Sequence, residues 1–266
     1  MKIITFQGGL GNQMFQYVFY LWLKSKHNNI FGYYPKKGFK GHNGLEIDIV
    51  FENIRLPKSN IFIVFIVYVI KLLKKLGYNS ISTMECFSDK KILFEDYWQD
   101  ITFDNGVNFV FKVDKLNTLN KRTLLTINKV NSVSIHVRRG DYLLNKYSKL
   151  YSGICDIEYY KKAIMYIKDN VEEPFFYIFS DDPEWVKKNF LIDNSLVVDW
   201  NVGELSFIDL FLISQCKHNI IANSTFSWWG AYMNNYEKKI VISPNRWFAS
   251  DEYNNPSIFP NKWIRI

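Results

Sequence analysis

The second half of the chain alternates short, wholly apolar runs with amphipathic stretches. Apolar runs of this kind are typical of strands covered on both faces, and the stretches between them repeat apolar residues at helical spacing. This alternation predicts a parallel sheet with helices on both sides, that is, a doubly wound α/β fold. The predicted strands are 133–137, 175–179, 195–198, 219–222 and 239–242, and the predicted helices are 157–168, one opened by Asp182-Pro183, 207–216 and 225–234.

The first half begins with the same pattern and then becomes less regular. A strand over 2–6 leads through a glycine-rich turn into a helix over 12–26. We therefore expect a smaller α/β domain over 1–130 and the doubly wound domain over 131–266, with the boundary in the polar stretch 117–131.

Residues 61–75 are an apolar run followed by a cationic tail. A membrane span needs roughly 20 apolar residues, which disfavours a span here. One interpretation is a buried or lid helix, capped by Ser59 or Asn60 and closed by Gly77. The other is peripheral contact with anionic lipid headgroups through 61–75, and the sequence leaves both open.

Composition narrows the class of protein. The 266 residues are 48% hydrophobic and 22% charged, which excludes a disordered chain. A net charge of +7 suits an anionic partner such as a nucleotide diphosphate, nucleic acid or an acidic membrane. We expect no nucleic acid, because no basic run with interleaved aromatic residues occurs.

Cysteine usage and the N-terminus predict a cytoplasmic protein. Cys86, Cys155 and Cys216 show neither metal-ligand nor redox spacing, and a sparse odd number fits a reducing compartment. A strand predicted from Lys2 onward leaves no room for a signal peptide.

Three polar clusters follow predicted strands of the second half, at 136–142, 180–182 and 223–227. Ligands of open parallel sheets bind at the carboxyl ends of the strands, so we expect the clusters to share one edge. Arg138 and Arg139 carry the planar fork that suits a phosphate, and the helix start at 224–225 suits an anion.

These clusters also have structural interpretations. Asp181 or Asp182 could accept hydrogen bonds from a base edge, but Asp182 before Pro183 could equally be a helix cap. Arg139 could form a local ion pair with Asp141, and a lone strand histidine such as His136 is often structural.

The glycine-rich turn in the first half includes Gly8, Gly9 and Gly11, which let a ligand approach the backbone closely. Met14 occupies the place of the third glycine of a dinucleotide fingerprint, and no P-loop ending is present.

Four segments together resemble one family, the α-1,2-fucosyltransferases of glycosyltransferase family 11. They are 8–17, 136–142, 179–182 and 223–231, in the expected order along nearly the whole chain. Tyr97-Trp98-Gln99 also resembles the family, although Asp96 stands where glycine is expected.

The resemblance implies a GT-B-like architecture, with two Rossmann-like α/β domains facing across a cleft. GDP-fucose would be held mainly by 131–266, and 1–130 would form the acceptor side. The reaction implied is transfer of L-fucose from GDP-β-L-fucose to the 2-hydroxyl of a galactose-containing glycan, with inversion to an α-1,2 linkage. No cofactor and no metal are expected, and no Asp-x-Asp motif occurs in the sequence. The bacterial type decorates surface polysaccharide or makes fucosylated oligosaccharides.

Roles for individual residues follow from the resemblance. Arg138 would stabilise the leaving GDP together with the helix start at 224–225, and Asn12 would position the donor sugar. Asp141 is the candidate general base, with Glu95 and Asp96 as alternatives. Donor binding is expected from Gly9, Gly11, Gln13, His136, Arg139, Asp181, Asp182, Ser224, Thr225, Phe226 and Ser227. A transferase of the same fold that uses another nucleotide sugar, and a sugar-binding module without turnover, remain alternatives.

Overall fold

A computed structural model describes residues 1–78, 82–83, 91–104, 106–114, 116–140, 142, 145–250 and 256–266. The chain divides into two compact units, Met1–Lys112 and Val113–Ile266, and each unit contains a parallel sheet. The α/β class with parallel sheets is therefore confirmed. The division lies before the predicted boundary at 130, because the polar stretch is no linker. It forms a helix, capped by Asn117, that packs on the second unit's sheet.

In the first unit a four-stranded sheet has the order β2-β1-β4-β3 with parallel pairing. Its elements are β1 (Lys2–Thr5), α1 (Leu10–Lys26), β2 (Ile30–Tyr33), α2 (Ile47–Val50), α3 (Ile61–Lys75), β3 (Ser82–Thr83) and β4 (Leu93–Phe94).

Helix α3 covers part of this sheet. Ile63, Val67 and Ile70 are buried against β1 and β4. Asn60 caps the helix by accepting a hydrogen bond from the backbone N–H of Ile63 at 3.0 Å, and Gly77 takes a positive φ just beyond the last turn, as expected. In the described part of the chain, no helix combines the length and the apolar character needed to cross a bilayer.

In the second unit a six-stranded parallel sheet has the order β10-β9-β8-β5-β6-β7. The chain starts in the middle of the sheet, winds to one side through β6 and β7, and then returns to the other side through β8. This is the Rossmann order, and its reversal point lies between β5 and β8. The elements are α4 (Thr118–Lys129), β5 (Asn131–Val137), α5 (Asn145–Tyr151), α6 (Ile157–Asn170), β6 (Pro174–Ser180), α7 (Pro183–Asn189), β7 (Ser195–Val198), α8 (Phe207–Gln215), β8 (His218–Ile220), α9 (Thr225–Met233), β9 (Val241–Ser243) and β10 (Ile264–Arg265).

Most predicted elements of this unit are present with ends shifted by a few residues, and β7 matches at both ends. The prediction that β9 begins at 239 was wrong. The ammonium of Lys239 instead donates to the carbonyls of Ala231, Tyr232 and Asn234, at 2.9, 3.2 and 2.7 Å. A cation at this position satisfies carbonyls at the end of α9 that would otherwise lack partners.

Helices α8 and α9 approach each other closely at Gly230. A Cβ atom at this position would lie 2.4 Å from Cγ2 of Ile213, which is too close for two carbon atoms. The glycine therefore allows α9 to pack closely on α8. The N-terminus of α9 lies at the carboxyl edge of the sheet.

We expect Gly230→Ala to lower the free energy of unfolding by about 1–3 kcal/mol, although alanine is the better helix former, because the added methyl overpacks the contact. Urea unfolding followed by circular dichroism measures this loss. Combining the change with Ile213→Ala removes the clashing methyl, so the two costs should be less than additive. Additive costs, or an unchanged midpoint, would contradict the assignment.

Candidate active site

The register between β5 and β6 brings arginines and aspartates together. Val137 pairs with Ser180, so the residues that follow each strand leave the sheet side by side. Nε of Arg138 lies 3.3 Å from Oδ2 of Asp181, and Nε of Arg139 lies 3.3 Å from Oδ2 of Asp182. Two consecutive Arg–Asp pairs therefore line the carboxyl edge.

Asp181 also holds the backbone of the turn after β5. Its Oδ1 accepts the N–H of Arg139 at 2.9 Å, and its Oδ2 accepts the N–H of Gly140 at 3.0 Å. A Cβ atom at Gly140 would lie 2.6 Å from that Oδ2, so any larger residue would displace the carboxylate from this position. One carboxylate thus fixes both the turn and the guanidinium of Arg138.

Asp182 has a different set of partners. Its Oδ1 caps α7 by accepting the N–H of Trp185 at 3.2 Å, which confirms the capping interpretation. The guanidinium of Arg139 lies 3.6 Å from the centroid of the Trp185 ring, a cation–π contact. Arg139 is therefore held between a carboxylate and an indole.

These contacts engage both carboxylates, and the role of Asp181 or Asp182 in contacting a nucleobase stays a prediction. Each of their four carboxylate oxygens already accepts at least one hydrogen bond or faces an arginine within this unit. Asp141, the predicted ion-pair partner of Arg139 and candidate base, lies outside the described residues. The partner that the structure gives to Arg139 is Asp182.

A pocket of about 410 Å³ opens beside the two arginines. It lies where the strand order reverses between β5 and β8, the position at which doubly wound sheets bind ligands. Tyr142 and Tyr151 line it as a stacked pair with ring centroids 4.6 Å apart, and the Tyr142 hydroxyl donates to the carbonyl of Asn223 at 2.9 Å.

Acidic residues at the start of α6 also line this pocket, but their carboxylates have other partners. Asp156 accepts the backbone N–H of Tyr159 at 2.8 Å, and Glu158 pairs with Lys161 at 2.7 Å. The carboxylates at the start of α6 are therefore engaged within their own helix.

The start of α9 lies at the same edge, after β8. Ser224 occupies the cap position without a side-chain cap hydrogen bond, which leaves its role as an anion contact a prediction. Ser227 is different, because it is fully buried and its hydroxyl donates to the carbonyl of Ser224 at 3.3 Å. This contact is structural, and the role of Ser227 in donor binding stays a prediction. Thr225 and Phe226 remain partly exposed.

His136 is buried at the end of β5, with its ring centroid 5.7 Å from that of Phe226. Among the described residues, none makes a hydrogen bond with Nδ1 of this ring. Burial and the neighbouring charge of Arg138 lower the pKa of His136 to about 3, so the imidazole is neutral near pH 7. A neutral ring can exchange a hydrogen bond with a base but cannot neutralise a diphosphate.

In the first unit, Gln13 ties the glycine-rich turn to the chain around 44–47. Its amide nitrogen donates to the carbonyls of Gly8 and Gly44 at 2.9 and 2.8 Å. Its amide oxygen accepts the N–H groups of Glu46 and Ile47 at 3.0 and 3.2 Å. All four hydrogen-bonding positions of the amide are used within the first unit. Donor binding by Gln13 stays a prediction.

The segment 97–99 braces the same turn. Nε2 of Gln99 donates to Oδ1 of Asn12 at 3.0 Å. Trp98 takes a positive φ of 55° and stacks on Phe19 with centroids 3.8 Å apart, a strained backbone held by packing. The sequence indicated this segment only through the family resemblance.

Two further observations concern the turn and the alternative bases. A Cβ atom at Gly9 would lie 3.2 Å from the His42 ring, a neighbour that no sequence pattern indicated because it is distant along the chain.

Glu95 pairs with Lys71 at 2.7 Å, and Oδ1 of Asp96 accepts the N–H of Tyr97 at 2.6 Å. Both alternative bases therefore already have partners. Gly11 is buried within α1.

The lowered pKa of His136 predicts a loss of stability on acidification. Below the ordinary histidine pKa near 6.5, the unfolded chain takes up a proton that the folded chain refuses until about pH 3. The contribution of the neutral ring to the free energy of unfolding is complete above about pH 6.5. It falls by up to about 1.4 kcal/mol per pH unit as the pH drops from there towards about 3.

His136→Gln should make the dependence of unfolding free energy on pH flatter, measured by urea titrations between about pH 5 and pH 7. His218, whose pKa burial also lowers, to about 4, titrates in both proteins and cancels in the comparison. Parallel pH profiles for the two proteins would rule out a buried neutral ring.

Comparison with known proteins places the chain in a family. The model of "Glycosyl transferase family 11" matches residues 1–266. An α-1,2-colitosyltransferase of Escherichia coli is 32% identical over 97% of this chain and 96% of its own length. The O-antigen biosynthesis glycosyltransferase WbnK of Escherichia coli is 39% identical over 64% of this chain and 59% of its own length. The human galactoside α-(1,2)-fucosyltransferase 1 is 31% identical over 38% of this chain and 28% of its own length. The chain belongs to glycosyltransferase family 11.

Proposed function

We propose that this glycosyltransferase moves L-fucose from GDP-β-L-fucose to the 2-hydroxyl of a galactoside, inverting the anomeric centre and forming an α-1,2 linkage without a metal. The observation that carries the proposal is the guanidinium of Arg138, held by Asp181 beside a pocket at the strand-order reversal. The α-1,2 transferases among the relatives support the linkage.

Inversion needs in-line attack by the acceptor hydroxyl through a transition state with oxocarbenium character. Negative charge grows on the departing GDP as the glycosidic bond breaks. Arg138 supplies positive charge for that diphosphate, and the backbone N–H groups at 224–225 are the second proposed contact. A group oriented before the reaction contributes about 3–4 kcal/mol to such a transition state, because it need not reorganise.

Further roles stay with residues of the first unit and the turn after β5. Asn12, held by Gln99, would position the donor sugar, with Gly9 and Gly11 permitting close approach. His136 and Phe226 would contact the nucleoside. Asp141 remains the proposed base, since the carboxylates of Glu95 and Asp96 are engaged elsewhere.

Arg138→Lys tests the diphosphate role. We expect kcat/KM to fall by about 10²–10³-fold, because an ammonium cannot reproduce the two-pronged contact while it is also held by Asp181. The matched control is Arg122→Lys, an exposed arginine on α4 in the same unit, which should leave turnover unchanged. Thermal melts of all three proteins should coincide. Full activity of folded Arg138→Lys would remove Arg138 from the mechanism.

A second donor is favoured by one comparison. The colitosyltransferase relative aligns over nearly the full length of both chains. Colitose is fucose without the 3-hydroxyl, so the choice depends on whether the site hydrogen-bonds that group. Sites that do so reject the deoxy sugar by about 10⁴-fold, whereas an apolar lining discriminates weakly.

Turnover with GDP-fucose, GDP-colitose and GDP-mannose separates these donors when each is offered with a panel of galactosides in the presence of EDTA. We expect GDP-fucose to give the highest kcat/KM, with an α-1,2 product by linkage analysis and no loss on chelation. Preference for GDP-colitose would shift the donor assignment while keeping the fold and linkage. Acceptor binding by calorimetry without GDP affinity or turnover would indicate a sugar-binding module.

A further inference from the structure

Helix α3 leaves a large apolar surface uncovered. Its inner side packs on the sheet, yet Ile61, Phe65 and Tyr68 on its outer side are 83%, 61% and 67% exposed. Exposed apolar residues recur at helical spacing on this outer side along the whole helix and in the residues just after it. We call this the α3 face, formed by Ile61, Phe62, Val64, Phe65, Tyr68, Leu72 and Leu76.

The charges carried by residues 58–78, which contain α3, are all of one sign. Lys74 and Lys75 lie in the last turn of α3, and Lys58 lies just before its first. No acidic residue occurs anywhere in 58–78. Lys71 forms an ion pair with Glu95, with Nζ 2.7 Å from the carboxylate. An occupant that complements the surface must therefore be apolar in the middle and anionic at its border.

A second copy of this chain does not meet that requirement. Parallel pairing of two α3 helices would bring the C-terminal lysines of each together. Antiparallel pairing would set them against Lys58 of the other copy, because a twofold contact repeats the same patch. In both arrangements cations face cations, with no acid on the helix to compensate.

We propose that the α3 face docks on an anionic lipid bilayer. A helix of 15 residues is about 22 Å long and would lie in the plane of the surface. Its apolar side chains enter the boundary between headgroups and acyl chains, and its lysines contact lipid phosphates. Tyr68 and Tyr78, both exposed, carry an apolar ring with a polar tip, which suits the headgroup level. This inference does not rest on the identity of donor or acceptor.

Flotation of the full chain with vesicles tests the docking. Vesicles of phosphatidylglycerol and phosphatidylethanolamine should carry the protein, those of phosphatidylcholine alone should carry much less, and salt at about 0.5 M should release part of it. Phe65→Glu should lower the bound fraction about tenfold. The matched control, Leu191→Glu, changes an apolar residue that is 89% exposed in the second unit and should bind like the parent.

A second set of variants, in which lysines are neutralised, tests the docking if Phe65→Glu proves unstable in a thermal melt. Lys74→Gln with Lys75→Gln should weaken binding to anionic vesicles, whereas Lys238→Gln with Lys262→Gln removes the same charge from exposed positions of the second unit and should not. All variants should transfer sugar to a soluble acceptor at the parental rate.

Three results would overturn the proposal. They are a parent protein that stays unbound, Phe65→Glu binding as well as the parent, and a parent that forms dimers abolished by Phe65→Glu without binding vesicles. Vesicle binding is measured without turnover, so its failure is distinguishable from failure of the proposed transfer reaction.

Discussion

The candidate site of the second unit depends on the contacts of one carboxylate, that of Asp181. It receives two backbone N–H groups from the turn after β5 and the guanidinium of Arg138. None of these partners could reach it without the in-register pairing of β5 with β6, which is fixed by the buried strand residues. The packing of the sheet core thus also sets the position of Arg138, because a shift in the register of β5 and β6 would separate Arg138 from Asp181.

The first unit uses an amide for a comparable purpose. Gln13 binds both sides of the glycine-rich turn, so the open backbone at Gly8 and Gly9 is held by a side chain with no spare hydrogen-bonding position. Full satisfaction of a buried amide stabilises one conformation of a turn that glycine would otherwise leave free to move. In both units, a polar side chain close to the backbone therefore fixes a turn that follows a strand.

Much of this was predictable from the sequence, and the failures share one cause. Periodicity predicted the parallel sheet of the second unit, Asp182 before Pro183 indicated the cap of α7, and the polar residues after the strands predicted clusters at one edge. It could not tell how a polar residue divides its hydrogen bonds. Asp181 and Gln13 have the chemistry of ligand-binding residues, and only the distances show that the protein itself uses that chemistry. The helix over Thr118–Lys129 was missed because its buried face is polar, with Asn120 bonding to Asn201 at 2.8 Å instead of an apolar stripe.

The same sharing of hydrogen bonds affects how strongly Asp181 neutralises Arg138, the residue proposed to contact the diphosphate. A carboxylate that served Arg138 alone would cancel most of its charge, and an arriving anion would then have to compete with it. Asp181 distributes its negative charge over two N–H dipoles as well, so the guanidinium is oriented without being fully neutralised. His136 reinforces this balance. Protonation would add a buried charge beside Arg138, and the low pKa of the ring prevents it, so the local positive charge stays on the two arginines that line the pocket.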